Sequence, residues 1–318
     1  MRSNEKQTLQ NALPRRDFVK TAAASMAGAS VLANNCFAAD SMKGLQTGLH
    51  QATIRESAFD RTVRAADAAG FQYFDLMYRN MKPYIDENGE DAVIKLFKSV
   101  SVKPGILAAF PRFSEMDAKK FKALIPEIQQ TLALCKKLGI TQFAFICIRG
   151  PKGDDRSFYQ TAVDRTRETA DIAADYGMML TMEPIGPTRY FNNTKRVNDF
   201  LEDVKKPNLG WILDTFHLYR GGDTLEDAIP YMDERMSTVQ FHDIEKGIDL
   251  MKSKDDVRVM PGDGYLPLGD IVRKLVELKY HSYLSVELFR PSYWAMDPEP
   301  VAQEAYDKLV KVVTEALA

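Results

Sequence analysis

Residues 209–222 read Leu209-Gly210-Trp211-Ile212-Leu213-Asp214-Thr215-Phe216-His217-Leu218-Tyr219-Arg220-Gly221-Gly222. The first five form an apolar run of strand length set off by Pro207-Asn208, which predicts a short buried strand. That strand ends in an acid, Asp214; His217 follows three residues on, and Gly221-Gly222 break the chain. An ionised carboxylate at the end of an apolar strand is costly unless something pairs with it. Three more segments repeat the pattern: Leu180-Thr181-Met182-Glu183, Thr238-Val239-Gln240-Phe241-His242 and Tyr283-Leu284-Ser285-Val286-Glu287. One such ending means little. Four, on alternating strands and helices, describe a site.

Outward from this stretch, strand-like and helix-like segments alternate eight times. The strands are expected at 48–54, 73–78, 102–110, 142–148, 178–183, 209–214, 237–242 and 282–288. The helices are expected at 59–69, 90–99, 117–138, 157–176, 194–204, 224–235, 268–278 and 299–317. In the longest, Phe121, Leu124, Ile125, Ile128, Leu132 and Cys135 recur at helical spacing and Gly139 stops it. Eight βα units fit one (β/α)8 TIM barrel of the usual size, about 250 residues. A doubly wound sheet is the rival, but it gives no reason for acids at so many strand ends. The long connections at 185–193, 243–267 and 289–298 all follow strands, and such loops build the active face of a barrel.

Period-2 alternation puts Thr181 with Glu183, Ile212 with Asp214, Gln240 with His242 and Ser285 with Glu287 on one face of each strand. All four metal-competent residues therefore point inward at one rim. Glu183, Asp214, His242 and Glu287 make a hard, mostly oxygen set that suits one Mn2+, with Mg2+, Co2+ or Zn2+ as alternatives; the lack of thiolates points away from structural zinc. Taken singly, each could be a helix-capping acid or a core histidine.

The chain has 318 residues with formal net charge −2, 45% of them hydrophobic and 27% charged. That is a globular composition without the basic excess that nucleic acid requires. At the N-terminus, Pro14-Arg15-Arg16-Asp17-Phe18-Val19-Lys20 precedes an alanine-rich run at 21–33 and the small-residue zone Cys36-Phe37-Ala38-Ala39. This resembles a twin-arginine signal peptide over 1–39, which implies a periplasmic protein and a single barrel domain over 40–318. The mature chain would carry 37 basic and 42 acidic residues, net −5. Cys135 and Cys147 sit where small apolar residues usually sit and read as buried thiols, although an oxidising compartment permits a disulfide. No membrane span is expected after signal cleavage.

The mature chain, essentially end to end, resembles the xylose isomerase-like TIM barrels known as sugar phosphate isomerases/epimerases, which include ketose 3-epimerases. The resemblance rests on Glu183-Pro184, Asn208 with Asp214-x-x-His217, His242-Asp243, Arg258-x-x-Pro261-Gly262-Asp263-Gly264 and Val286-Glu287. It implies that Glu183, Asp214, His242 and Glu287 bind one divalent ion and that the two glutamates are the acid/base pair. It also implies that His217 and Arg258 hydrogen-bond the enediolate oxygens. The 242–258 segment is longer than the family pattern, which puts the placing of Arg258 in doubt. Weaker substrate-binding candidates are His50 in the first strand and Tyr78, Arg149, Arg189, Arg290 and Trp294 in post-strand loops, Trp294 as a face for sugar stacking.

The expected activity is isomerisation or epimerisation of a non-phosphorylated keto-sugar or cyclitol. A lyase or dehydratase acting on a keto-sugar or 3-keto-glycoside uses the same first step. A non-catalytic periplasmic sugar-binding protein is a further alternative. A phosphodiesterase of the endonuclease arm is disfavoured by four histidines and net negative charge. The family often pairs barrels, so a homo-oligomer is compatible with the sequence.

Overall fold

The computed structural model describes residues 42–148 and 156–318. Residues 1–39 and Arg149 lie outside them. Eight parallel strands close into a barrel: β1 (Gln46–His50), β2 (Tyr73–Met77), β3 (Lys103–Ala108), β4 (Gln142–Ile146), β5 (Met179–Glu183), β6 (Leu209–Asp214), β7 (Met236–Gln240) and, after the short pair β8 (Asp243–Ile244) and β9 (Arg258–Val259), β10 (Tyr283–Val286). Round the barrel the order is β1-β10-β7-β6-β5-β4-β3-β2. Helices alternate with the strands, as the (β/α)8 reading requires.

Alternation divides the apolar residues as expected. Ile212 packs inside the barrel with Ile106, Ala144 and Tyr283, while Trp211 and Leu213 join the larger core between sheet and helices. The outer helices supply matching stripes. Leu268, Ile271, Val272 and Leu275 of Leu268–Glu277 are all buried, at the i, i+3, i+4, i+7 spacing of one face. Truncating one of them to alanine removes about 2–5 kcal/mol.

Element types agree with the sequence reading; several boundaries do not. The first strand stops at His50, because His50 Nδ1 accepts from Ala52 N and starts a 3-10 turn at Gln51–Ile54. A helix at Tyr78–Asn88, unforeseen, follows β2. The expected helix 224–235 shortens to Leu225–Ala228 plus a 3-10 turn, since Pro230 sits inside the expected span. The Asp214-x-x-His217 stretch instead forms its own helix, Thr215–Arg220. Cys135 and Cys147 are both buried, with no disulfide among the described residues.

Candidate active site

Glu183 and Asp214 are the last residues of β5 and β6; His242 lies just past β7, and Glu287 follows β10 directly. All four stand on the rim where TIM-barrel chemistry sits. Asp214 also caps the helix behind it, its Oδ1 accepting from His217 N at 2.6 Å. This candidate ligand is therefore also a helix cap.

The 243–267 connection folds back as the β8–β9 hairpin, with Ile244 opposite Arg258. Asp243 holds its base: Oδ1 accepts from Ile244 N and Leu266 N, and Oδ2 from Gly264 N, all within 2.8–2.9 Å. Arg258 is thereby delivered, fully buried, into the rim. Its Nη1 donates to Asp214 Oδ2 at 2.8 Å and to Glu287 Oε2 at 2.9 Å; its Nη2 lies 2.7 Å from Asp255 Oδ1 and 3.0 Å from His217 Nε2. The extra length of this segment brings in a further acid, Asp255. The charged run Lys252-Ser253-Lys254-Asp255-Asp256 was the only sequence sign of it, and such runs usually mark solvated loops.

Burial pushes Glu183 and Glu287 well above the ordinary glutamate range; for Glu183 the Glu287 and Asp214 charges add to it, and for Glu287 the Arg258 charge opposes it. For Asp214 burial acts upward too, yet Arg258, His242 and His217 outweigh it and the group falls well below its usual range. His50 and His217 drop to about 3 and about 4, burial first in each case, so both rings are neutral near pH 7. His50 Nδ1 lies 3.0 Å from Glu287 Oε1. The same nitrogen accepts from Ala52 N, so Glu287 faces a neutral ring on one side and the Arg258 guanidinium on the other. Glu183, 14% exposed at its side chain, is the more open of the two glutamates, and its Oε1 stands 3.6 Å from His217 Nε2.

One guanidinium thus faces four carboxylates, Glu183, Asp214, Asp255 and Glu287. That donor set fits a divalent cation, which would relieve the excess charge. Among the described residues, two buried imidazole nitrogens, His50 Nε2 and His242 Nδ1, have no hydrogen-bond partner. Glu183, Asp214 and His217 bring ligand atoms within 4.8 Å of one another. His217 thus stands among the candidate ligands beside Glu183 and Asp214. His242 Nε2 lies 3.5 Å from Asp214 Oδ1, and Arg258 bridges Asp214 and Glu287.

The weaker candidates scatter. Tyr78 lines the mouth but gives its hydroxyl proton to Glu127. Trp294 donates to Ala52 O at 2.8 Å, and Arg55 covers one face of its ring at 3.6 Å from the centroid. Arg290 pairs with Glu245 at 3.2 Å. Arg189 is exposed in the 185–193 connection. A cavity of about 880 Å3 opens over the ends of β2, β3 and β4, with Tyr78, Arg79, Phe110, Arg112 and Ile146 among its walls.

A closed parallel barrel with acids and imidazoles on this rim is one class of (β/α)8 fold, and the comparisons place the chain within it. The family model described as xylose isomerase-like TIM barrel matches residues 63–312, and the chain belongs to that family. It is 26% identical over 266 residues to inosose isomerase of Bacillus subtilis, covering 83% of this chain and 95% of that protein. It is 22% identical to 3-dehydroshikimate dehydratase of Pseudomonas putida over 78% of this chain and 38% of that one. The solved structure of IOLI protein with a binding zinc atom is 25% identical, with TM-score 0.78 over 85% of this chain and 99% of that one.

Proposed function

We propose that this protein is a divalent-metal-dependent isomerase or epimerase of a non-phosphorylated keto-sugar or cyclitol. The observation that carries the reading is the pair of upward-shifted glutamates, buried Glu287 and partly open Glu183, with β6 and β7 between their strands and one cluster of donors between them. A carboxyl raised above the ordinary carboxylate range is better suited to take a C–H proton and to return one. The inosose isomerase relatives support the cyclitol class. When bound, the ion would supply electrophilic stabilisation of the oxygens that gain charge. Glu183, Asp214, His242 and Glu287, with His217 beside them, are the residues that would hold it.

In the proposed cycle one glutamate, ionised, removes the proton next to the carbonyl, and the other, protonated, returns one to the opposite face. Arg258 and His217 orient the oxygens, and the Arg258 guanidinium offsets charge that develops on them. The second reading, a lyase or dehydratase, has the same proton abstraction followed by loss of a leaving group, and the 3-dehydroshikimate dehydratase relatives favour keeping it.

The test is proton exchange in D2O. The Mn2+-loaded protein is incubated with ketoses, keto-inositols and 3-keto-glycosides and followed by NMR. Deuterium at one carbon, lost in Glu183→Gln and Glu287→Gln, is the expected result, and the product separates epimer from isomer from elimination. No exchange across the panel would turn the reading toward a sugar-binding protein.

We propose twin-arginine export to the periplasm on the strength of residues 14–20. Replacing Arg15 and Arg16 together by lysine should leave the full-length chain in the cytoplasmic fraction. Unchanged export would refute it.

A further inference from the structure

The cavity beside the catalytic rim has an unbalanced wall. Among the described residues its cations are Arg79, Lys82, Arg112 and Lys120, and its acids are Glu115 and Asp117. Three of the four cations have a carboxylate: Lys82 pairs with Asp86, Arg112 reaches Glu115 at 3.8 Å and Lys120 reaches Asp117 at 3.5 Å. Among the described residues Arg79 has no carboxylate within ion-pair distance. It stands in the first turn of the helix Tyr78–Asn88, directly after β2. Arg79 is exposed at the cavity wall; partial desolvation, then the nearby Arg55 charge, lowers its pKa from the ordinary arginine value, with the Glu56 charge opposing.

The cavity adjoins the proposed chemistry at Ile146, a wall residue that is the register partner of Glu183 across the β4–β5 pair. At about 880 Å3 the space exceeds what one six-carbon ring needs and falls in the range of larger small-molecule sites. Tyr78 and Phe110, edge to face with centroids 4.6 Å apart, add an apolar wall.

We infer that Arg79 is a specificity-determining residue that binds a carboxylate carried by the substrate, so that the substrate is a carbonyl sugar or cyclitol acid. This rests on the carbonyl-substrate reading proposed above. A guanidinium fork matches a carboxylate through two parallel N–H bonds. One uncompensated cation matches one negative charge, which favours a carboxylate over a phosphate dianion. The whole-chain charge of −2 hides this patch, because a sum does not report a local excess.

Calorimetric titration of the full protein at low salt tests it, with 5-keto-D-gluconate, D-fructose and D-fructose 6-phosphate as probes. The acid should bind at least tenfold more tightly than fructose. The ratio should fall to near one in Arg79→Gln and be partly restored in Arg79→Lys, with unchanged melting curves showing that both variants fold. A ratio near one in the parent protein, or one that survives Arg79→Gln, overturns the inference. Tighter binding of fructose 6-phosphate than of the acid also overturns it, by assigning the site to phosphate. The readout is binding, so it separates the two readings. An Arg79-dependent preference without any proton exchange would sink the isomerase proposal alone, and exchange on neutral sugars without the preference would sink the subsite alone.

Discussion

Arg258 donates to Asp214 at 2.8 Å across 44 residues of chain, a pair in which neither side chain is exposed to solvent. It ties the β8–β9 hairpin to the end of β6. The guanidinium also lies against the rings of Phe216 and Phe289, at 4.8 and 5.0 Å from their centroids, so it is packed as well as paired. Such a pair adds little net stability over an apolar pair, yet breaking it is costly, because one charge stays buried alone.

Replacing Arg258 by methionine keeps the bulk and removes the charge. Asp214 and Glu287 are then left facing Glu183 and Asp255 with no cation among them. The expected loss is about 3–5 kcal/mol in urea unfolding of the metal-free protein. Added MnCl2 should raise the melting temperature of the variant by more than it raises that of the parent, since a divalent ion then offsets a larger excess of negative charge. Equal shifts would count against a cation site among these carboxylates.

Glu183→Gln and Glu287→Gln should each cut proton exchange by about 10²–10⁴-fold while the protein stays folded. The pH dependence has two arms. Both groups titrate well above the glutamate reference of 4.5, so the rate should rise with pH as the base ionises and fall again as its partner loses the proton it must return. A rate that is flat from pH 5 upward would mean that neither glutamate is the base.

How much of this was legible in the residues follows from which interactions are local. Asp214, Glu183, His242 and Glu287 announced themselves because each ends an apolar strand, and strand alternation fixes their direction within a few residues. The helix Thr215–Arg220 was hidden because its cap, Asp214, already served as the end of a strand. Asp255 and Arg79 could not be singled out: one sits in a charged run, the other follows Tyr78 in an ordinary surface sequence. Only the closure of the barrel and the return of the hairpin show which charges are paired and which are not.

Gly221 carries no unusual backbone angle, with φ −80, yet it has no room for a side chain. A Cβ there would meet the Asn192 carbonyl oxygen, and Asn192 Nδ2 donates to Gly221 O at 3.3 Å. The close approach docks the 185–193 connection, which leaves from Glu183. Gly221→Ala should therefore destabilise by about 1–3 kcal/mol and loosen that connection. Hydrogen exchange of the 185–193 amides should speed up; an unaltered exchange pattern would show that the docking does not depend on this contact.

Asp75 makes stability depend on pH away from the rim carboxylates. It lies inside the barrel, where Oδ1 accepts from Tyr283 Oη at 2.5 Å and Ile106 N at 2.9 Å, and Oδ2 accepts from Ser285 Oγ at 2.5 Å. Burial, only partly offset by these three donors, raises its pKa from 3.8 to about 6. Between those two values the folded chain holds a proton that the unfolded chain has released, so stability from this group falls as pH rises through the window. Above the window the penalty is complete, about 3 kcal/mol at 1.36 kcal/mol per pKa unit. Asparagine has the same shape, stays neutral, and can accept from Tyr283 and Ile106 while donating to Ser285. Asp75→Asn should therefore be more stable than the parent at pH 8 by up to about 3 kcal/mol, with the difference shrinking below pH 6 and vanishing below 4. Urea unfolding of both proteins at pH 8, 6 and 4 measures it, and a variant less stable than the parent at pH 8 would show that the carboxylate's three hydrogen bonds outweigh its desolvation.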